Sequence, residues 1–366
     1  MYGNAVHSFY SRSHKKNYVK DIFQVLNIYY WIHGVGISKR KGILTKCMAT
    51  LLTGFYVTNS FVFFTIQCNL LGVTDSNVKN LGVLFLVFSL GLSQRWLLLS
   101  RKGRLYIVVK RLQKMMSTNF KLYKPTTKLK VIFLLILVDA YVFALYISVS
   151  RSIRGAALFV DSNSTLNNTD EYGLSNVIYL NLFFIHWSDI GLLIAIYFVT
   201  ICHILKVLFS KLEEKANENT MIYDRLVSKY NESIDICKEV NDVFSAIVLL
   251  AFVNLLSSVF YHSFNIFFED ADISRYLTMV FSYLVFATMC YSASAVSTSA
   301  FNAKYTIEKS EMLMEGKSAQ VLNTNFVGFT ILDSVIIDKS FILSSTGVLV
   351  TYGVMIATFN VTSQEK

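Results

Sequence analysis

Seven stretches of this 366-residue chain are each apolar for about the length of a membrane crossing: roughly 43–70, 78–99, 129–151, 176–202, 243–268, 276–300 and 341–361. A helix needs about 20 such residues to traverse the hydrocarbon of a bilayer. Backbone in lipid must satisfy its own hydrogen bonds, so these runs are helices rather than strands of an open sheet. With 54% of its residues apolar and only 16% charged, the chain lacks the polar surface that a soluble fold of this size would need. The first run starts near Ile43, behind a polar and basic segment, which is not the pattern of a cleaved signal peptide. The expected fold class is all-α, a polytopic membrane protein with seven transmembrane helices.

The basic residues indicate which way round it sits. Residues 1–42 carry seven Lys or Arg and one acid, Asp21, while 100–130 carry ten and no acid. Together with 203–242 and 301–340, these segments collect 27 of the 34 Lys and Arg. By contrast 152–175 has only Arg154, and 269–275 is net acidic. Cytoplasmic segments are enriched in Lys and Arg, so the N-terminus is expected inside and the C-terminus outside. The organisation is then a cytoplasmic segment 1–42, helices one to four over 43–202, a cytoplasmic helical hairpin over 203–242, helices five and six over 243–300, a cytoplasmic helical segment over 301–340, and the seventh helix over 341–361. Asn163, Asn167 and Asn360 head glycosylation tripeptides on the expected outer side, while Asn231 heads one on the inner side. The topology is opposite to that of a G-protein-coupled receptor. The one proline, Pro125, falls in a cytoplasmic segment, so no crossing carries a proline kink. Cys47, Cys68, Cys202, Cys237 and Cys290 avoid the outer loops and read as reduced packing residues.

Between 203 and 242 the apolar positions Ile222, Leu226, Tyr230, Ile234 and Cys237 recur at helical spacing, with charges on the other faces. Neither proline nor glycine interrupts this stretch, which predicts that the fourth and fifth crossings run on into the cytoplasm as a helical pair. Further on, AKYTIEKSEMLMEGKSAQ is polar and helical, and NTNFVGFTILDSVIID reads as a short helix before the last crossing. No internal repeat is present.

On a helical wheel Ser344, Gly347, Thr351, Met355, Thr358 and Thr362 form one stripe of the last crossing, flanked by Tyr352 and Phe359. Small and hydroxyl residues favour close helix packing, which periodicity alone favours. The other reading is a weakly polar water path between several copies of this helix, closed by a ring of Phe359 side chains that dewets it.

The same helix contains TYGVMIATF at 351–359. This resembles the signature of insect gustatory receptors: Thr-Tyr, five hydrophobic residues, then Gln-Phe, in the seventh helix. Thr351, Tyr352 and Phe359 match, while Thr358 stands where the family has Gln. The inside N-terminus, the chain length and the basic and long inner segments also resemble that family, so the likeness spans the chain as architecture. It implies a tetrameric, ligand-gated, poorly selective cation channel of the plasma membrane in a chemosensory neuron, in homo- or hetero-tetramers with related subunits. By that likeness the last helices of four copies line the pore, with Ser344, Gly347, Thr351, Met355, Thr358 and Phe359 as pore or gate residues. Sugar-sensing members carry Glu directly after the Thr-Tyr pair. Gly353 occupies that place here, implying a bitter or other non-sugar tastant.

Polar and aromatic side chains in the outer halves of the crossings are candidates for a small-molecule pocket: Tyr141, Tyr146, Tyr179, His186, Trp187, Tyr261, His262 and Tyr283. Tyr and Trp also populate interfacial belts, and that reading covers most of them. Asp139 and Asp189 lie in mid-crossing, where charge is costly, and either contacts a ligand or pairs with Arg95, which is also near enough the inner face to snorkel. A secondary transporter using Asp139, Asp189 and Arg95 is the alternative function. No catalytic motif, metal-ligand spacing or cofactor signature is present, so neither an enzyme nor a metal site is expected. The net charge of +10 suits membrane lipid rather than nucleic acid.

Overall fold

From the apolar run 78–99 into the basic stretch after it there is no proline before Pro125 and few residues that favour turns, so nothing in the sequence stops a helix between them. A computed structural model describes residues 22–27, 75–119, 169–218, 221–268, 273–312 and 328–364, with five further positions between 47 and 58. In it α1 (Asp75–Asn119) is one helix of 45 residues. The same continuity gives α2 (Thr169–Asn217) 49 residues, α3 (Tyr223–Phe268) 46 and α4 (Ile273–Met312) 40. At about 1.5 Å per residue these rods are roughly 60–75 Å long, about twice the hydrocarbon thickness, so each must project well beyond a bilayer. Parts of α2, α3 and α4 are long and apolar enough to cross one. The apolar runs 43–70 and 129–151 fall largely outside the described residues.

Beyond the apolar runs the same hydrophobic core continues and holds the projecting halves together. Leu105, Val109 and Leu112 of α1, Leu205, Leu208 and Phe209 of α2, Leu226, Val227 and Ile234 of α3, and Ala303 and Ile307 of α4 are all buried. Phe209 packs edge-on against Tyr230 with ring centroids 5.8 Å apart, and the Tyr230 hydroxyl donates to the Ala300 carbonyl at 3.3 Å. Burial raises the Tyr230 phenol well above its ordinary pKa. Arg111 pairs with Glu239 across α1 and α3, and the Arg101 guanidinium donates to the carbonyls of Asp242 and Val243 at 2.8 and 2.9 Å. Of the amphipathic series on α3, Leu226, Tyr230, Ile234 and Cys237 face this core, whereas Ile222, at its start, is exposed. Cys202, Cys237 and Cys290 are buried thiols, but Cys47 is exposed and is not a packing residue.

The segment read as a short helix before the last crossing is instead a β-hairpin. Strand β1 (Thr330–Ile331) pairs antiparallel with β2 (Val335–Ile336), Thr330 opposite Ile336 and Ile331 opposite Val335. The turn is closed by the Ser334 amide donating to the Ile331 carbonyl at 3.0 Å, with Leu332 and Asp333 at φ 48° and 57°. Both central residues at positive φ make a type I′ turn, which normally selects Asn and Gly. Its support comes from α3: Asn241 donates to Thr330 Oγ1 at 2.9 Å and accepts from the Thr330 amide at 2.8 Å, and the Leu332 amide donates to Ser245 Oγ at 2.6 Å. Phe329 is buried edge-on against Phe198 of α2, centroids 5.6 Å apart. Gly328 abuts α4 so closely that a Cβ there would lie 2.8 Å from Ser297 Oγ.

The hairpin delivers the chain directly into α5 (Lys339–Gln364). Asp338 caps it: one carboxylate oxygen accepts from Ser340 Oγ at 2.7 Å and from the Phe341 amide at 2.9 Å. These bonds, the Ser340 hydroxyl first, hold the Asp338 carboxyl below its usual range. Asp338→Ala is expected to cost about 1 kcal/mol, while Asp338→Asn retains most of the cap. A depressed folded-state pKa means this contribution is complete above the unfolded value of about 4 and is lost as pH falls through the folded one. Melting curves of wild type and Asp338→Ala in detergent should therefore converge on acidification below about pH 4.

Candidate functional site: the last helix and its surroundings

In a single chain α5 is attached along one side. Phe341, Ile342, Ser345, Thr346, Leu349 and Gly353 are half-buried at a spacing of three to four residues, the face toward α3 and α4. Phe341 stacks on Phe252 with centroids 5.7 Å apart and lies 6.0 Å from Phe286, and Phe252 meets Phe286 edge-on at 5.0 Å. One turn higher, the Tyr283 and Thr346 hydroxyls share a hydrogen bond of 2.8 Å.

The remaining circumference is uncovered. Ser344, Gly347, Thr351 and Met355 are exposed, as are Leu343, Val348, Val350, Tyr352 and Val354. A Cβ at Gly347 or Gly353 would meet nothing within 4 Å. Among the described residues Gly347 therefore serves no close helix contact, and the stripe from Ser344 to Thr351 is not an intramolecular packing seam. The Thr351 hydroxyl donates to the Gly347 carbonyl at 2.8 Å, so its proton is committed to its own helix and its oxygen remains a weak acceptor on the exposed face. No fixed charge occurs on α5 between Phe341 and Gln364. Thr358, Phe359 and Asn360 lie within the helical backbone of α5, but their side chains fall outside the described ones.

The pocket candidates divide. Tyr283 is half-buried and turns its hydroxyl onto α5, making it a tie between α4 and the last helix. Tyr283→Phe is expected to cost about 1 kcal/mol of that attachment, read as a small drop in melting temperature in detergent. Tyr261 and His262 are adjacent on α3 with ring centroids 5.3 Å apart, and Nδ1 of His262 is buried without a hydrogen-bond partner. Tyr179, His186, Trp187 and Asp189 lie on α2 with side chains outside the described ones. Asp139, Tyr141, Tyr146, Asn163 and Asn167 lie outside the described residues altogether.

Arg95 is buried. Its neighbour Gln94 is fully buried as well, a polar residue the sequence reading passed over, and donates to the Leu250 carbonyl of α3 at 2.9 Å. Gly191 of α2 faces this pair, with space for a Cβ 3.8 Å from Gln94 Oε1 and 3.6 Å from Asn254 Nδ2. Gln94, Asn254 and Gly191 thus form a small polar junction of three helices, two residues along α2 from Asp189. Amide side chains within apolar runs were the signal for it.

No family model matches the sequence, and no curated protein matches it. Among solved structures, the fold is similar to the insect olfactory receptor OR5 from Machilis hrabei, with a TM-score of 0.63 at 13% identity over 93% of this chain and 98% of that one. The same receptor in complex with eugenol matches with a TM-score of 0.62 at 13% identity, over 93% and 99% of the two chains. Long apolar helices, a core that continues beyond the apolar runs, and a last helix attached along one side therefore make this chain a helical membrane protein whose fold is similar to that of the insect olfactory receptor OR5.

Proposed function

We propose that the chain is a subunit of an insect gustatory receptor: a tastant-gated, poorly selective cation channel of the plasma membrane, assembled from four subunits, with its N-terminus inside. The observation that carries this reading is the uncharged, exposed face of α5 bearing Ser344, Gly347, Thr351 and Met355. Four such faces around an axis give a path of hydroxyls, glycine and thioether, with Thr358 and Phe359 toward its outer end. Weak polarity without fixed charge suits a hydrated route of low ion discrimination. The TYGVMIATF signature favours the gustatory over the olfactory branch, and Gly353 after the Thr-Tyr pair favours a non-sugar ligand. A small organic ligand is in keeping with a fold that in the Machilis receptor accommodates eugenol.

The test is electrical. Cells expressing the full chain, perfused with a panel of bitter and other small organic compounds, should show an inward current that reverses near zero in mixed sodium and potassium and persists when G-protein signalling is blocked. Phe359→Ala should raise the current without ligand. Terminal tags should stain in intact cells at the C-terminus only. A response abolished by G-protein block, or an N-terminal tag stained without permeabilisation, overturns the reading.

A further inference from the structure

We propose that the face of α1 just beyond its apolar run binds the headgroup of a polyphosphorylated anionic phospholipid, with Lys102, Arg104 and Lys110 contacting phosphates and Trp96 alongside the acyl chains. The proposal rests on the cytoplasmic placement of residues 100–130 above. On the wheel Trp96, Ser100, Gly103, Ile107 and Lys110 follow one another at spacings of three and four, forming a single stripe that is exposed throughout. Trp96 is 69% exposed at the end of the apolar run, where indoles sit at the boundary of acyl chains and headgroups. At about 1.5 Å per residue, Lys102, Gly103 and Arg104 lie roughly 9–12 Å further along the axis, at the outer edge of the headgroup layer where a phosphorylated headgroup protrudes, and Lys110 about 21 Å along.

Between Lys102 and Arg104 the surface is bare backbone: a Cβ on Gly103 would meet nothing within 4 Å. Lys102 and Arg104 stand about 100° to either side of Gly103, so a headgroup lying against the bare backbone is flanked by two long cationic side chains, one from each side. Lys102, Arg104 and Lys110 are exposed and make no ion pair among the described residues. Nearby cations are already engaged: Arg111 with Glu239, and Arg101 with two carbonyls of α3. Residues 100–130 contain no acid to compete for the rest. The unengaged cations are spread about 12 Å along the axis, more than one layer of phosphodiesters occupies. A headgroup with phosphates at more than one depth matches that spread better than phosphatidylserine does. Clusters of four or more basic residues directly inside a crossing attract such lipids, at an energy that falls off within a Debye length.

The experiment measures binding of dioctanoyl phosphatidylinositol 4,5-bisphosphate to the purified full-length chain in detergent, with dioctanoyl phosphatidylcholine and free inositol trisphosphate as comparisons. The bisphosphate lipid is expected to bind at least about tenfold more tightly than either comparison. Lys102→Gln with Arg104→Gln should weaken it by about tenfold or more. Trp96→Ala should weaken the lipid but not inositol trisphosphate, and Lys206→Gln on α2 should change nothing. If the double variant fails to fold, Lys110→Gln alone should weaken binding several-fold. Equal binding of phosphatidylcholine, or an unchanged Kd in the basic variants, overturns the site as ordinary annular lipid. Equal binding of inositol trisphosphate overturns it as a site for a soluble polyanion. Micelle binding does not depend on orientation, so the terminal tags test that premise separately.

Discussion

Asn241→Ala is expected to destabilise the protein by about 3 kcal/mol and to release the hairpin that precedes the last helix. The asparagine donates to Thr330 Oγ1 at 2.9 Å and to Asp333 Oδ1 at 3.3 Å, and accepts from the Thr330 amide at 2.8 Å. Alanine removes all of these and strands a main-chain donor beside the buried Phe329, a loss of about 1–3 kcal/mol before the other bonds are counted. The turn these bonds hold is unfavourable by itself, because Leu332 and Asp333 sit at φ 48° and 57° without being glycine. Each such residue costs of order 1–3 kcal/mol and persists only where surrounding structure imposes it. Leu332→Gly should act in the opposite direction, since it relieves strain at an exposed side chain and leaves the Leu332 amide bond to Ser245 intact. Thermal unfolding in detergent, with hydrogen exchange at the Thr330 and Leu332 amides, reads both. A melting temperature and exchange rates unchanged in Asn241→Ala would show that the hairpin is held by something else.

The second large effect concerns the exposed face of α5. In the four-subunit, ligand-gated channel proposed above, with Cys47 first replaced by Ser, Thr351→Cys is expected to make the ligand-evoked current sensitive to a positively charged, membrane-impermeant thiol reagent, with at least about a tenfold loss. A fixed positive charge in each of four facing subunits would repel cations at close range and with little screening in a narrow path. Leu349→Cys supplies the comparison, since Leu349 is half-buried on the side facing the bundle and should react slowly or not at all. Equal block at both positions would mean that residue 351 has no privileged access to a pore. Reaction at 351 without loss of current would place the conducting path elsewhere.

How much of this was legible in the sequence depended on how local the cause was. Helical spacing of Leu226, Tyr230, Ile234 and Cys237 is a local signal, and the residues that carry it are buried in one continuous α3. Ile222 carries the same pattern one turn too early, before the helix begins at Tyr223, and is exposed. The hairpin was not legible, because a type I′ turn at Leu332-Asp333 lacks the Asn-Gly that would announce it. Its stabilisation comes from Asn241, 89 residues away from Thr330, and from Ser245. The tie between Tyr283 and α5 was illegible for a similar reason: its partner, Thr346, lies 63 residues on, and nothing near Tyr283 in sequence points there. The exposed stripe of α5 was visible as periodicity, but only Gly347 meeting empty space separates it from a packing seam within the chain.

The unbroken passage of α1 to α4 from apolar run to outlying core has a mechanical corollary. A rod of 45 residues is about 68 Å long, so a tilt of about 5° at one end displaces the other by about 6 Å. Without a proline hinge to absorb it, such a tilt arrives at the far end undiminished. A contact that wedges two helices apart by an ångström or two at the end opposite the outlying core thus needs no relay of side chains. The helices themselves are the levers, and the outlying core is where their motion arrives.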